Sequence, residues 1–295
     1  MSNLVRLRFE ELQHLILEKQ LSDFKMAAFD MDGTLLNREH QLSERTIAAV
    51  KMVADSGLIV LLATGRMTSA VKNHLKKLKT PELVVTHNGA LVKDLETGVI
   101  SHHETIPKRV VLKLLELLEG EDTVVHFNYY DNIYLVREHS YSEQYSQELQ
   151  VNFTYVPSFK LLEGEPTTIV LIDKKPVLVS LVENLANHFQ EDFCYVMSPW
   201  QDGIWRMQFM PANTSKGKAV LQVARSFDIH PEEIISFGDS YNDVEMIADT
   251  GLGIAMGNAV PELKQVADFV TLSNQEDGVA HILEALISRG RAWRR

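Results

Sequence analysis

The stretch Lys25-Met-Ala-Ala-Phe-Asp-Met-Asp-Gly-Thr-Leu-Leu36 decides the fold. Met26 to Phe29 reads as a short buried strand, and Gly33 lets the backbone turn sharply just beyond it. Asp30 and Asp32 therefore leave the tip of a strand, where open α/β sheets take ligands in a crevice. Side chains two apart on a strand point the same way. Two such carboxylates repel unless a cation sits nearby or one of them holds a proton. The pattern points to Mg²⁺, a phosphate, or both. A calcium loop would need a Glu at its twelfth position, and here that position is Gln41. On this motif alone, a plain structural turn is the rival reading.

Outward from this stretch, the chain alternates. Ser43–Ala54 is expected as a helix capped by Ser43, Leu58–Ala63 as a strand buried on both faces, Thr68–Leu78 as a helix, and Leu83–Thr86 as a third strand. This is the repetition of a doubly wound parallel sheet. After Leu91 the pattern changes to paired short strands with two or three helices, expected as an α+β insert with an open-faced sheet. The alternation returns with a helix after Lys216, a strand at Ile234–Phe237, and a closing helix from Gly278. The expected organisation is an α/β, Rossmann-like core over residues 25–92 and 205–295, an inserted α+β cap over 93–204, and an N-terminal helical extension over 1–24. In that extension, Phe9, Leu12, Ile16 and Leu17 recur at helical spacing.

Composition narrows the class. A length of 295 residues is ample for a buried core, and one cysteine, Cys194, excludes an internal disulfide and any multi-cysteine metal site. Cys194 is expected in the core, within Phe193-Cys-Tyr-Val-Met197. The net charge of −11 argues against nucleic-acid binding, which needs a basic footprint. The basic tail from Arg289 is read as a solvated end. No segment reaches membrane-spanning length, and Arg6, Arg8, Glu10 and Glu11 interrupt any secretory apolar core. A cytoplasmic protein, monomeric or homo-oligomeric, is expected.

Four local signatures fall at or just beyond strand ends: Asp30-Met-Asp-Gly-Thr34, Ala63-Thr-Gly-Arg66, Lys216 opening a helix, and Gly238-Asp239 with Asn242 and Asp243. With Asn88-Gly89 and the run Asn274-Gln-Glu-Asp-Gly-Val-Ala280, these elements make the chain resemble the Cof-type branch of the haloacid dehalogenase superfamily, over about Lys25 to Ser288. The resemblance implies Mg²⁺-dependent hydrolysis of small phosphorylated metabolites. It assigns Asp30 as the nucleophile that forms an aspartyl phosphate, Asp32 as general acid and base, Thr64 as a hydroxyl donor to the phosphoryl group, and Lys216 as the counter-charge. The metal would be held by Asp30, the Asp32 carbonyl and Asp239, with Asp243 acting through water or by orienting Lys216. Gly33, Thr34, Gly65, Arg66, Asn88, Gly89 and Asn242 would border the phosphate.

The sequence also departs from the branch. A long segment precedes the motif strand, and Gln208 stands where many relatives carry Glu. His87 is read either as part of the mouth of the site or as a structural histidine. In the insert, Tyr130 and Arg206 are candidates for reading the leaving group, with core packing or an internal ion pair as the alternatives. Two other functions stay open beside the phosphatase: a phosphosugar mutase, and a catalytically silent ligand-binding regulator.

Overall fold

The structure is a computed structural model that describes residues 19–78 and 83–292. The expected N-terminal helix, with Phe9, Leu12, Ile16 and Leu17, and the last residues of the basic tail lie outside the described residues. In chain order the elements are β1 (Met26–Phe29), α1 (Glu44–Asp55), β2 (Ile59–Ala63), α2 (Lys72–Leu78), β3 (Leu83–Thr86), β4 (Leu91–Asp94) and β5 (Ile100–His103). There follow α3 (Lys108–Leu117), β6 (Val124–Tyr129), β7 (Asn132–Leu135), α4 (Ser140–Leu149), β8 (Phe153–Tyr155), β9 (Thr168–Lys174), α5 (Lys175–Phe189), β10 (Phe193–Gln201) and β11 (Ile204–Pro211). The chain closes with α6 (Lys216–Ser226), β12 (Ile234–Gly238), α7 (Val244–Ala248), β13 (Leu252–Ala255), α8 (Pro261–Val266), β14 (Phe269–Val270) and α9 (Gly278–Ala292). The described residues form two compact units, one of 19–64, 73–78, 83 and 216–292, the other of Gly65–Lys72 and Val84–Ser215.

The first unit is an α/β layer whose strands run in the order β14-β13-β12-β1-β2, every pair parallel. Every residue of β1 and β12 is buried, as strands covered on both faces must be. Their register sets Phe29 opposite Phe237, and the two rings stack at 5.1 Å. From β1 the chain moves to β2 on one side, while β13 and β14 extend from β12 on the other. The carboxyl ends of β1 and β12 thus flank the point where strand order reverses, the site at which open α/β sheets form a ligand crevice. Helix α1 starts as expected, with the Ser43 hydroxyl accepting from Thr46 N–H at 3.0 Å.

The second unit holds a six-stranded sheet, β10-β11-β9-β6-β7-β8, antiparallel except for the β7–β8 pair. The open-faced sheet expected here is not what forms. On β9, Ile169 and Leu171 join a core with Val110 and Leu114 of α3 and Leu178 and Leu185 of α5. Val170 and Ile172, on the opposite face, are buried with Val124 and Ile204 under Tyr141 and Tyr145 of α4. The unbroken apolar run Ile169–Ile172 is the signature of a strand covered twice.

Two further expectations change. The single helix over 68–78 is a 3-10 turn (Thr68–Ala70) followed by α2, and Ser69 N–H is taken by the Asp131 carboxylate at 3.0 Å. Cys194 is half-buried, because β10 is an edge strand and the period of two that sends Phe193 into the core turns Cys194 to the other face.

Candidate active site

The last residue of β1 and the last residue of β12 are each followed by an aspartate, Asp30 and Asp239. Lys216, the first residue of α6, is 1% exposed on its side chain and inserts between two carboxylates. Its ammonium donates to Asp30 Oδ1 at 2.6 Å and to Asp243 Oδ1 at 2.8 Å. The other oxygen of Asp243 accepts from the backbone N–H groups of Asp239 and Ser240, each at 3.0 Å. Both Asp243 oxygens are therefore engaged, and Asp243 fixes Lys216 and the start of the 239–243 loop together.

Burial dominates the electrostatics. It pushes the Asp30 carboxyl up to about 7, with Lys216 pulling back and Asp243 and Asp32 pushing further. Asp239 is pushed up to about 9 by burial, then by the negative charges of Asp30 and Asp243. Burial alone would lower the Lys216 ammonium, but Asp243 and Asp30 outweigh it and raise it. Without a further cation, three carboxylates crowd one ammonium.

Oxygen atoms of Asp30, Asp239 and Asp243 lie within 4.8 Å of one another. Asp239 Oδ1 is buried with no hydrogen-bond partner among the described residues. An all-oxygen donor set that includes a residue with an orphaned buried carboxylate oxygen fits a hard divalent cation such as Mg²⁺.

The loop after β1 wraps this cluster. Gly33 has φ +80, and a Cβ there would lie 2.1 Å from Asp239 Oδ2, so glycine is required both by backbone conformation and by space. Thr34 is buried and its hydroxyl has no partner among the described residues. Asp32 is partly exposed, with His40 Nδ1 at 3.5 Å. Asp32 and Gly33 line an open cavity of about 590 Å³ that Asn37, Arg38, Asn258 and Asn274 also border. Thr64, directly after β2, is buried in the same unit. Asn242 lies in the 3-10 turn that opens α7.

Asn258 has no counterpart in the sequence reading. Its Nδ2 donates to Gly33 O at 2.9 Å and to Asp239 Oδ2 at 3.4 Å. The available signal was its position just past β13, one more carboxyl end in the same sheet.

Other candidate residues belong to the second unit. Gly65 lies against the Asn88 amide, with a virtual Cβ at 3.1 Å, and His87 N–H donates to Arg66 O at 3.0 Å. Asn88, at φ +56, donates to Gln208 Oε1 at 2.9 Å. Gly89 adopts φ +106, and a Cβ there would meet Ser215 O at 2.3 Å. His87 is the structural histidine of the two readings. It is buried, bonds Thr168 Oγ1 and Tyr130 O through its two ring nitrogens, and is held down at about 4 by burial. Tyr130 is 45% exposed, with its ring 4.2 Å from that of His103. Arg206 donates to Glu148 at 3.1 Å and lies 5.2 Å from the Trp200 ring.

Residues 27–283 match the family of haloacid dehalogenase-like hydrolases. The chain belongs to that family, in its Cof-type branch. It is 31% identical over 296 residues to the phosphatase YwpJ of Bacillus subtilis (strain 168), covering 89% of this chain and 100% of that protein. It is 29% identical over 272 residues to the 5-amino-6-(5-phospho-D-ribitylamino)uracil phosphatase YitU of the same organism, covering 89% and 97%. The structure of a haloacid dehalogenase-like hydrolase from B. subtilis superposes with a TM-score of 0.77 at 30% identity, over 88% of this chain and 99% of that one. Among the described residues no helix is long and apolar enough to cross a membrane.

Proposed function

We propose that this chain is a Mg²⁺-dependent phosphatase of small phosphomonoesters, working through an aspartyl phosphate on Asp30. The observation that carries the reading is the buried cluster in which Lys216 bridges Asp30 and Asp243 beside the orphaned oxygen of Asp239. The phosphatase relatives support it, and the phosphoribityl compound in the name of YitU belongs to the substrate class proposed.

In the first step an Asp30 oxygen attacks phosphorus in line. The bond from phosphorus to the leaving oxygen breaks, and Asp32 delivers its proton to that oxygen. Asp32 borders the open cavity, where a leaving group has room. In the second step water attacks the same phosphorus, Asp32 takes a proton from it, and the Asp30–phosphorus bond breaks to release inorganic phosphate. Lys216 holds Asp30 for attack and offsets charge on the phosphoryl oxygens. Thr64, the Thr34 hydroxyl (without a partner among the described residues), backbone N–H groups near Gly33 and Asn242 are assigned to those oxygens. Mg²⁺ held by Asp30, the Asp32 carbonyl and Asp239 would neutralise the carboxylates and polarise the phosphoryl group. Asp243, with both oxygens engaged, serves to orient Lys216.

The cap is assigned to residues 93–204 and the core to 25–92 and 205–295. The family resemblance supports a phosphate-side role for Gly65, Arg66, Asn88 and Gly89, and Tyr130 is the proposed reader of the leaving group. For Arg206, the ion pair with Glu148 favours the structural of its two roles.

The test is hydrolysis of an aryl phosphate with and without Mg²⁺, for the native chain and for Asp30→Asn. Release of inorganic phosphate that requires Mg²⁺ and is lost in Asp30→Asn is expected. An isomerised sugar phosphate with almost no free phosphate would make the protein a mutase. Binding of phosphorylated ligands without turnover would make it a silent regulator.

A further inference from the structure

We propose that Asn258 is a positioning residue for the metal carboxylate, holding one oxygen of Asp239 so that the other faces the cation. The inference rests on the metal site proposed above. Asp239 Oδ2 accepts from the Asn258 amide at 3.4 Å and lies 2.1 Å from where a Cβ on Gly33 would stand, while Oδ1 is buried with no partner among the described residues. A carboxylate with one oxygen occupied and the other left over is aimed, and aiming is what near-octahedral Mg²⁺ coordination demands.

The polarity of the contacts requires an amide. The two N–H bonds of Asn258 Nδ2 meet two acceptors, Gly33 O at 2.9 Å and Asp239 Oδ2 at 3.4 Å. Its carbonyl oxygen meets a donor, the backbone N–H of Asn274, at 2.9 Å. A carboxylate at this position would set oxygen against both acceptors, and a hydrocarbon would leave all three groups unmatched. The backbone makes the bridge firm. Val260 N–H donates to Asp239 O at 2.9 Å, so the 257–260 segment is already tied to the residue it orients. Asn258 thus joins the loop after β1 to the loop after β12, the two loops that supply the proposed ligands.

Asn274 provides the control. Its side chain donates to Leu36 O at 2.7 Å, tying down the far end of the same first loop without touching Asp239. If Asn258 only kept the loop ordered, removing the Asn274 side chain would do equal harm.

The experiment is isothermal titration of the full chain with Mg²⁺, for the native protein, Asn258→Leu, Asn258→Ser and Asn274→Ala. Both Asn258 variants are expected to weaken Mg²⁺ binding about tenfold or more. At saturating Mg²⁺ their kcat should return to within about threefold of native, because the reacting groups are intact. Asn258 is exposed, so water can take over its partners, and the metal-free Tm should move by no more than about 3 °C. Asn274→Ala should bind Mg²⁺ as the native chain does. If Asn258→Leu cannot fold, Asn258→Ser carries the comparison. Native Mg²⁺ affinity in the Asn258 variants overturns the proposal, as does an equal loss in Asn274→Ala. A native chain that takes up no Mg²⁺ overturns the metal reading, and this inference with it.

Discussion

Lys216→Met removes the buried counter-charge of the acidic cluster. The methionine is close in length and apolar, so the change removes a charge and little volume. In the native chain the ammonium is 1% exposed and donates to Asp30 and Asp243 at 2.6 and 2.8 Å. Removing one partner from a buried ion pair costs about 3–5 kcal/mol, because the remaining charges are left without compensation. That cost must depend on pH. Asp30 and Asp239 are already raised to about 7 and about 9 with Lys216 present, and its removal raises both further. A carboxyl raised above its unfolded value binds its proton in the folded state first. It therefore destabilises the fold at pH above its folded pKa, and that loss is recovered as pH falls toward 4. The assay is urea unfolding in EDTA at pH 8 and pH 5.5, followed by circular dichroism. The variant should lose about 3–5 kcal/mol at pH 8 and clearly less at pH 5.5. Its turnover of an aryl phosphate at saturating Mg²⁺ should fall by roughly 10²–10³-fold or more. A loss under about 1 kcal/mol at pH 8, or one that does not change with pH, would refute the reasoning, because the ammonium would then not be the buried counter-charge.

The metal-free native chain should itself gain stability as pH falls from 9 to about 6.5, and Mg²⁺ should flatten that slope; a flat profile in EDTA would remove the crowded-carboxylate account. Below about 6.5 the buried histidines act in the opposite direction, since burial holds His87 at about 4 and His126 at about 3. Each remains neutral in the fold while the unfolded chain protonates, so each should cost about 2–3 kcal/mol by pH 4.5. Ring chemical shifts of both that do not move between pH 8 and 5 are the check, and a midpoint above 6 for either would contradict its burial. Gly33→Ala sets a methyl 2.1 Å from Asp239 Oδ2 at φ +80, and should cost at least about 1 kcal/mol together with most Mg²⁺ binding, as read by urea unfolding and calorimetry.

What could be read from sequence followed from local rules. The apolar run ending at Asp30 and the cap at Ser43 depend on neighbours in the chain, and β1 and α1 form where those rules put them. Lys216 is unfavourable at a helix start on local grounds, and the structure explains its presence by two carboxylates from distant segments. The rest depended on partners with no local signal. The apolar run Ile169–Ile172 calls for cover on both faces, but which element supplies the second cover is decided only by the placement of α4. The 3-10 turn at Thr68–Ala70 is held by an aspartate from a distant segment, Asp131, which accepts from the Ser69 N–H. Phe153–Tyr155 is too short a strand to show a period. Asn258 reads as an ordinary turn residue until the strand order brings it beside Asp239.

The charge balance of the first unit explains why these residues need one another. Asp30, Asp239 and Asp243 carry three negative charges when ionised, and Lys216 returns one positive charge, leaving two negative charges in a buried cleft. A phosphomonoester brings up to two more. Interactions of this kind grow steeply as water is excluded, so a dianion would be repelled from such a cleft. The chain can answer in two ways. It can hold protons on Asp30 and Asp239, which their raised values show to be favourable near neutral pH. A proton on Asp30, however, blunts the carboxylate proposed as the nucleophile. The alternative is a divalent cation at the Asp239 oxygen that has no partner among the described residues, which would cancel the two excess charges and leave Asp30 ionised. On this balance the same carboxylates that destabilise the metal-free fold would make the proposed metal site selective for charge, and catalysis should be lost with Mg²⁺ before the fold is.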